Sequence, residues 1–397
     1  MKFLFDDESF SFETLRAAGF ANDGGADLGE ILSTARAIPD GDEDAWLRSW
    51  RATAERVEAI GEASRAAGHR VSAREALLRA SNYYRTAEFF RREHPADDPL
   101  VKELSQRSRA TFAAAIELFD TPVEHVEIPY EGTALPGYLF LADRTGEPRP
   151  TLVYVNGYDS TAEEAWFVVG ASGVRRGYHV LAVDGPGQGA ALREQGLTFR
   201  PDWEAVVTPI VDHALTRREI DPDAISLFGY SMGGYLVARA AAFEHRVAAV
   251  VLNDGVLDFH SAFDQAMPPF LTRWIDDGDP AATPVMELMI AMSTNIRWAM
   301  RNGMWTFGVD TPAELVRAAR AYSIVDVADR ISCPTLVLDA ENDQFFRGQP
   351  HLVEKAITGA PTTLVTLTEA EGAGEHCHMG AMARFQQVMF DWLDETR

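Results

Sequence analysis

Gly229-Tyr230-Ser231-Met232-Gly233 lies between the short apolar run Ile225–Phe228 and the run Tyr235–Ala242, which has helical spacing. A serine with glycine at both flanks, between a strand and a helix, is the pattern of a nucleophile elbow. The turn from strand to helix is so sharp that side chains at either glycine would collide across it. The pentapeptide alone is common, so its strand-turn-helix setting carries the argument. We therefore predict that Ser231 is a catalytic nucleophile raised above the sheet.

The composition indicates a globular protein with ample material for a core. Of 397 residues, 46% are apolar and 24% are charged, which is typical of a globular protein. The sequence contains no uninterrupted apolar window of about 18 residues, so we predict no membrane span. The segment Met1–Glu8 lacks the features of a secretory signal, and two cysteines predict no disulfide framework, so the expected location is the cytoplasm. The net charge of −24 argues against nucleic acid and anionic membrane surfaces as partners.

The pattern of apolar residues divides the chain into four segments. Residues 1–121 have helical spacing and predict a helical N-terminal domain, with one helix start at the capping-box sequence Ser72–Glu75. After Pro122 the chain changes to short β-rich runs, which from Thr151 onward are apolar and alternate with helical segments. This alternation is typical of a mostly parallel sheet with helices on both faces, which we place in residues 122–255 and 331–397. The predicted strands are Val123–Pro129, Leu135–Ala142, Thr151–Asn156, His179–Asp184, Ala224–Phe228, Val247–Asn253, Thr335–Asp339 and Thr362–Leu367, the first two forming an antiparallel hairpin.

Residues 256–330 interrupt the strand-helix alternation and predict a helical cap insert over the carboxyl edge of the sheet. This segment is rich in methionine and tryptophan, and Thr311–Glu314 is a capping box that begins a helix. Its methionine and tryptophan side chains either pack the cap onto the sheet or line an adaptable apolar pocket, and the sequence leaves both roles open.

A serine nucleophile needs an acid and a histidine, which follow it along the chain in this type of fold. Asp343 lies four residues past the predicted strand Thr335–Asp339, on a loop above the sheet, and is our candidate acid; Asp339 and Glu341 are alternatives. His376 lies on the glycine-rich loop before the last helix and is our candidate general base, with His378 as its rival. The sequence His376-Cys377-His378 does not have the spacing of a complete metal site, so we predict no metal.

Oxyanion stabilisation requires two backbone N–H groups near Ser231. One should come from Met232, and the other from Tyr158 or Gly157 in the loop after the Thr151 strand. The glycine-rich sequence Asp184–Gly189 contains a proline and is not followed by a basic residue at P-loop spacing, so we interpret it as a tight turn and predict no nucleotide cofactor.

Three motifs together resemble the α/β-hydrolases that carry a helical N-terminal extension. They are Gly229–Gly234, Asp184–Gly189 and Gly374–Cys377, and the Trp46/Trp50 helix and Ala80–Tyr84 extend the similarity over nearly the whole chain. This group includes 2,6-dihydroxypseudooxynicotine hydrolases, fungal polyketide-shortening hydrolases and fermentation–respiration switch proteins. The resemblance implies an α/β-hydrolase fold and a triad of Ser231, Asp343 and His376. It also implies cleavage of a carbon–carbon bond next to a ketone, and an extra acid, for which Asp264 is favoured over Asp254 and Asp258.

These observations lead to one functional hypothesis and two alternatives. The chain is expected to be a serine hydrolase for a bulky, mostly apolar ketone or ester of secondary metabolism or aromatic catabolism, without a cofactor. A cyclase or acyltransferase could use the same acyl-enzyme chemistry, and a non-enzymatic regulatory binding protein could use the same scaffold. The sequence leaves open whether the N-terminal helices form the face of a homodimer.

Overall fold

One mixed sheet organises the molecule in the computed structural model, which describes residues 2–396. Within these residues, eight strands follow the order β1-β2-β4-β3-β5-β6-β7-β8. The strand β2 pairs antiparallel with β1 on one side and with β4 on the other, and all other pairs are parallel. The strands are β1 Val123–Tyr130, β2 Thr133–Phe140, β3 Arg149–Val155, β4 His179–Val183, β5 Ile220–Tyr230, β6 Ala249–Asn253, β7 Thr335–Ala340 and β8 Thr362–Leu367.

Helices precede the sheet, cover both of its faces and fill the interval between β6 and β7. The N-terminal helices are α1 Glu8–Gly19, α2 Leu28–Ala35, α3 Glu43–Ala66, α4 Arg70–Glu88 and α5 Pro99–Ile116. Within the sheet region lie α6 Ala171–Arg175, α7 Gly189–Gln195, α8 Glu204–Leu215, α9 Gly233–Ala241, α15 Gln349–Ala356 and α16 Met382–Thr396. Between β6 and β7 lie α10 Ser261–Ala266, α11 Pro269–Asp277, α12 Ala282–Met292, α13 Thr294–Phe307 and α14 Pro312–Ala319. This is an α/β-hydrolase fold, as the sequence predicts.

The edge hairpin shows how local sequence determines the start of the sheet. Glu131 and Gly132 connect β1 to β2, and both have positive φ values, 40° and 86°. A two-residue turn of this kind matches the right-handed twist of the strands that it joins. The register pairs Tyr130 with Thr133 and Val123 with Phe140, so the whole length of both strands is hydrogen-bonded.

The two faces of the sheet contact different helices. On one face, Leu227 and Val337 share a core with cap residues such as Leu271 and Leu315. On the other face, the sheet packs against α16 and the N-terminal helices, which contribute Leu15, Leu77 and Phe112. Burial of apolar surface therefore stabilises the packing of both helical regions on the sheet. Each Å² of apolar surface removed from water contributes roughly 25 cal/mol to this stabilisation. The division into four separate domains stays a prediction.

Two predicted helix starts have opposite outcomes. The helix α14 begins after Thr311, whose hydroxyl accepts the Glu314 N–H while the Glu314 carboxylate accepts the Thr311 N–H, as predicted. The start predicted at Ser72 is wrong, because α4 already begins at Arg70 and places Ser72 inside its first turn. Within residues 2–396, every helix is too short or too polar to cross a bilayer.

Candidate active site

Ser231 occupies the turn between β5 and α9, one residue after the strand ends. Its φ is +57°, in the left-handed region that L-residues adopt at a cost of about 1–3 kcal/mol. A Cβ added at Gly229 would lie 2.1 Å from the carbonyl oxygen of Gly233, so the predicted collision across the turn is present. A Cβ added at Gly233 would instead lie 2.6 Å from the carbonyl oxygen of Val155, on the neighbouring strand β3. The glycines thus let the backbone close tightly around a strained serine.

The structure brings Ser231, His376 and Asp343 together in a single hydrogen-bonded chain. The Ser231 Oγ lies 2.9 Å from Nε2 of His376, and Nδ1 of the same ring lies 2.6 Å from Oδ2 of Asp343. The backbone N–H groups of Phe345 and Phe346 donate to Oδ1 of Asp343, at 2.6 and 2.8 Å. Because the acid is fixed by these two donors, it orients the imidazole with its Nε2 toward the serine.

The surroundings of this triad favour an ionised acid next to a basic imidazole. Burial alone would raise the pKa of Asp343, but the His376 imidazole holds that pKa well below its usual range. Burial alone would lower the pKa of His376, but the negative charge of Asp343 raises it well above its usual value. The rings of Phe12, Phe345 and Phe346 surround the imidazole at centroid distances of 6.0, 4.8 and 5.7 Å. Aromatic rings therefore border the imidazole, and its nitrogens face polar partners.

A second carboxyl group, that of Asp254, also reaches the imidazole. Its Oδ2 lies 2.8 Å from Nδ1 of His376, and only 1% of its side chain is exposed. Burial and the neighbouring charge of Asp343 raise the pKa of Asp254 to about 7. Asp254 was one of the extra acids expected from the resemblance, but Asp264 was favoured over it. Its place directly after β6, between the strands that precede Ser231 and Asp343, is the signal that could have identified it.

The choice of Asp264 as the extra acid is wrong. Its carboxylate lies 3.0 Å from Nδ1 of His260, and 55% of its side chain is exposed. Asp264 belongs to the short helix α10, whose position over the sheet could not be derived from sequence spacing. Asp258 also has a different partner, because its carboxylate accepts the backbone N–H of His260. Asp254 is therefore the extra acid that the geometry supports.

The loop after β3 lies against the elbow, where the oxyanion donors were predicted. A Cβ added at Gly157 would lie 2.9 Å from the Ser231 Cβ and 3.4 Å from the backbone nitrogen of Met232. The Gly157 N–H donates to the hydroxyl of Ser160, at 3.1 Å, so this amide already has a partner. Tyr158 is therefore a better candidate than Gly157 for the second oxyanion donor, and Met232 remains the first.

Asp184, which follows β4, fixes the start of this loop. Its carboxylate accepts hydrogen bonds from the side-chain amide of Asn156 and from the backbone N–H groups of Ala162 and Ala190. Burial raises the pKa of Asp184 to about 7. The glycine-rich sequence after β4 thus forms a tight turn, and the residues around Asp184 are arranged to hold the loop rather than a phosphate.

A cavity of ≈ 520 Å³ opens in front of Ser231 and His376. Its wall comes from α1, the loop after β3, the cap and the loop that carries Asp343. Trp298 and Met300 of the cap line the cavity, whereas Met286 is buried in the core at 3% exposure, so the cap residues divide between the two predicted roles. The apolar lining consists of Phe12, Tyr158, Tyr230, Phe259, Ala262, Phe263, Ala266, Met267, Ile296, Trp298, Ala299, Met300, Phe345 and Phe346. The polar lining consists of Glu8, Glu13, Arg16, Asp159, Gln265, Ser293, Asn295, Gln344 and Arg347, beside Ser231 and His376.

The remaining candidates have other roles. Nδ1 of His378 donates to the carbonyl of Ala373, and burial lowers the pKa of this histidine to about 4. The Asp339 carboxylate accepts the hydroxyl of Thr366, and the Glu341 carboxylate accepts the N–H of Glu369. None of these three side chains contacts Ser231 in the described part of the chain.

Cys377 lies in a group of side chains of the types that bind metal ions. Among the described residues, Asp254, His376 and Cys377 place potential ligand atoms within 4.8 Å of one another. Both ring nitrogens of His376 already face Ser231 and the two carboxyl groups. Burial also raises the pKa of the Cys377 thiol to about 12, which disfavours the thiolate that metals bind. We therefore assign no metal to these residues.

Comparison with known proteins identifies the family. Residues 152–387 match the model of the alpha/beta hydrolase family. Among curated relatives, hydrolase LUC6 of Fusarium sp. is 36% identical and hydrolase acrC of Aspergillus aculeatus is 37% identical, each aligned over 99% of this chain and 97% of the relative. The 20-hydroxy-prefusarin hydrolase FUS2 of Gibberella moniliformis is 35% identical with the same coverage. The chain therefore belongs to the alpha/beta hydrolase family.

A solved structure confirms the fold over nearly the whole chain. The crystal structure of 2,6-dihydroxy-pseudo-oxynicotine hydrolase has a TM-score of 0.76 at 24% identity, covering 96% of this chain and 95% of that one. The resemblance inferred from the sequence motifs is thus confirmed. The protein is an enzyme of the hydrolase class, and nothing supports the alternative of a non-enzymatic binding protein.

Proposed function

We propose that the protein is a serine hydrolase in which Ser231 is the nucleophile, His376 the general base and Asp343 the orienting acid. The observation that carries this proposal is the 2.9 Å contact between the Ser231 Oγ and Nε2 of His376, with Nδ1 of the ring 2.6 Å from Asp343. Nucleophile, base and acid in hydrogen-bond reach of one another are the arrangement that acyl-transfer chemistry requires.

The geometry supports a two-step mechanism. His376 takes the proton of Ser231 as the Oγ attacks a carbonyl carbon, and the oxyanion forms beside the backbone N–H groups of Met232 and Tyr158. His376 then gives this proton to the leaving group, and an acyl-serine remains. In the second step His376 takes a proton from a water molecule as the water oxygen bonds to the acyl carbon. The bond from that carbon to the Ser231 Oγ then breaks, His376 returns the proton to the Oγ, and the carboxylic acid leaves.

The proposed substrate is a bulky, mostly apolar ketone or ester, with carbon–carbon bond hydrolysis of a β-dicarbonyl-like or aryl ketone as the specific reaction. The aromatic cavity wall supports an apolar substrate, and polar lining residues such as Gln265, Asn295 and Gln344 can accept a hydroxyl or carbonyl-bearing end. In such a reaction the leaving group is a stabilised carbanion, and protonated His376 returns the serine proton to it. The names of the 20-hydroxy-prefusarin and 2,6-dihydroxy-pseudo-oxynicotine hydrolases describe hydrolysis of hydroxylated organic molecules, which supports an organic substrate with a hydroxyl-bearing end.

The same acyl-enzyme could be captured by a nucleophile of the substrate itself, which would make the protein a cyclase or acyltransferase. The cavity of ≈ 520 Å³ in front of Ser231 supports this second candidate, because it has room for a substrate that folds back onto its own acyl group. The cytoplasmic location and the homodimer stay predictions from the sequence.

A parallel screen of aryl esters and β-diketones tests the proposal, with Ser231→Ala as the control. We expect turnover of at least one class by the wild-type protein and a loss of about a thousandfold or more in the variant. Product mass separates the outcomes, because hydrolysis adds one water to the substrate and cyclisation does not. Equal turnover by Ser231→Ala and wild type would contradict the mechanism.

A further inference from the structure

A buried charge cluster joins the N-terminal helices to the loop after β3. The cluster, which we call the Arg16–Arg85 cluster, consists of Arg16, Arg85, Glu13, Asp159 and Glu164. The two guanidinium groups donate to the same oxygen of Asp159, Oδ2, at 2.7 Å from Arg16 and 2.6 Å from Arg85. Arg16 also donates to Glu164 at 2.9 Å, and Arg85 to Glu13 at 2.8 Å.

The burial of this cluster makes a purely stabilising role a poor explanation. The exposed fractions of the five side chains lie between 3% and 13%. Removing charged groups from water costs several kcal/mol per ion, and apolar replacements of such clusters are often neutral or stabilising. Two planar guanidinium groups that meet one carboxylate do, however, fix its position closely. The cluster is therefore suited to hold Asp159 at a defined place.

Asp159 is the immediate neighbour of the residue that carries the second proposed oxyanion donor, Tyr158. The opposite side of Tyr158 is held by the cap helix α13. The Tyr158 hydroxyl donates to the carbonyl of Ala299 at 2.8 Å, and the side-chain amide of Asn302 donates to the carbonyl of Tyr158 at 3.1 Å. Arg92 of the N-terminal region donates to Asn302 in turn, at 2.9 Å. The loop is thus held on one side by the Arg16–Arg85 cluster and on the other by the cap.

We infer that Arg16 and Arg85 are positioning residues which, through Asp159, set the distance between the Tyr158 amide and Ser231. This inference rests on the proposed function, because it assigns the loop the task of binding an oxyanion. A displacement of about 1 Å at such a donor can reduce a rate a hundredfold. The N-terminal helices accordingly contribute to the chemical step although none of their cationic groups reacts.

The variant Asp159→Asn tests this inference, since it keeps the size of the side chain and removes the charge that both arginines bind. Using a p-nitrophenyl ester, we expect kcat to fall roughly ten- to hundredfold while KM changes less than about threefold. A trifluoromethyl ketone provides a second readout. Its carbonyl carbon forms a bond with the Ser231 Oγ, the serine proton moves to His376, and the negative oxygen occupies the proposed oxyanion site. Its inhibition constant should rise by the factor by which kcat/KM falls.

Glu204→Gln is the matched control, because it weakens the half-buried pair of Glu204 and Arg239, whose side chains are each 22% exposed and lie outside the cavity lining. This control should keep the wild-type kcat and inhibition constant. Should Asp159→Asn not fold by circular dichroism, Arg85→Lys decides the question, because an ammonium group cannot bridge the same carboxylates and should give the same change in kcat.

Two results would overturn the inference. One is wild-type kcat and inhibition in Asp159→Asn, and the other is a rise in KM at constant kcat, which would make Asp159 a substrate contact. A fluorophosphonate probe separates these from a failure of the proposed function. If the probe does not label the wild-type protein, the proposed serine mechanism is wrong. If the probe labels the wild-type protein normally, either of the two results above contradicts only the positioning role of Arg16, Arg85 and Asp159.

Discussion

Two carboxyl groups share one imidazole nitrogen in this site, and their surroundings give them different protonation states. Asp343 accepts two backbone N–H groups, which favour its ionised form. The Oδ1 atom of Asp254 is buried and has no hydrogen-bond partner in the described part of the chain. Since the two negative charges repel each other, the less well solvated carboxyl keeps its proton, and the pKa of Asp254 rises to about 7. Asp343 is therefore the ionised member of the pair.

Asp254 makes the stability of the protein depend on pH. The unfolded chain releases the Asp254 proton near pH 4, at about the usual aspartate pKa, whereas the folded chain keeps it up to about pH 7. The folded state binds more protons between these values, so this group reduces stability as pH rises through that window. We expect Asp254→Asn to raise Tm relative to wild type by an amount that grows from pH 4.5 to pH 8. Thermal unfolding at both pH values measures this growth.

Asp264→Asn is the control for that experiment, because its side chain is 55% exposed and lies beside His260. Its Tm should follow the wild-type value at both pH values. Parallel pH curves for Asp254→Asn and wild type would contradict the protonation assigned to Asp254.

The second carboxyl group also predicts that the acid function is partly redundant. In Asp343→Asn, Asp254 remains 2.8 Å from Nδ1 of His376 and can become its negatively charged partner. We expect a loss in kcat of about a hundredfold for Asp343→Asn, and about ten thousandfold, the usual cost of losing a triad acid, for the double variant with Asp254→Asn. A double-mutant cycle in kcat with a p-nitrophenyl ester measures the coupling. Equal activity of single and double variants would show that Asp254 gives no such support.

At the scale of the element, the turn between β5 and α9 depends on backbone atoms that approach each other closely. The elbow could be predicted from the sequence because glycine is the residue type that fits such a turn. The acid and histidine loops could be predicted because each follows an apolar strand, β7 or β8. The start of α4 was not predictable in this way. The capping-box sequence begins at Ser72 and α4 begins at Arg70, a difference of less than one helical turn. The packing of α4 against α3 decides at which of these residues the helix begins. The position of α10, and hence of Asp264, depends on contacts across the cap that no local pattern encodes.

Gly229→Ala should damage the elbow directly. The new Cβ would lie 2.1 Å from the Gly233 carbonyl oxygen, a backbone atom that cannot turn away as a side chain can. We expect a loss of roughly 3 kcal/mol or more in the free energy of unfolding, together with loss of activity. Urea-induced unfolding provides the measurement. The control is Gly68→Ala, where φ is +78° but the space is open, so only about 1 kcal/mol of backbone strain is expected. Similar losses in the two variants would contradict the packing described for the elbow.

For the whole molecule, the N-terminal helices pack against one face of the sheet. They bury Leu15, Leu77 and Phe112 against the sheet face, and they place Phe12 beside the His376 ring. The sequence predicted a helical region here, but its docking could not be derived, since amphipathic spacing shows that a helix has an apolar face and not which surface covers it. The link from Arg16 and Arg85 to Asp159 was missed for the same reason.

Removal of residues 1–121 should therefore leave an insoluble protein. The deletion exposes the apolar sheet face that α1, α4 and α5 cover, and a large exposed apolar patch causes aggregation. Size-exclusion chromatography of the shortened chain beside the full-length chain measures this outcome. A monodisperse, active product starting near Pro122 would contradict the account, and would also exclude the proposed effect of the N-terminal helices on the chemical step.

The most direct test of the central claim is labelling by a fluorophosphonate probe, followed by mass spectrometry of the modified peptide. The geometry predicts a single adduct on Ser231, because this hydroxyl lies 2.9 Å from the imidazole nitrogen of the proposed general base. Ser231→Ala should remain unlabelled, and His376→Ala should react at least about a hundredfold more slowly. An adduct on another residue, or equal labelling of wild type and Ser231→Ala, would contradict the assignment of Ser231 as the nucleophile.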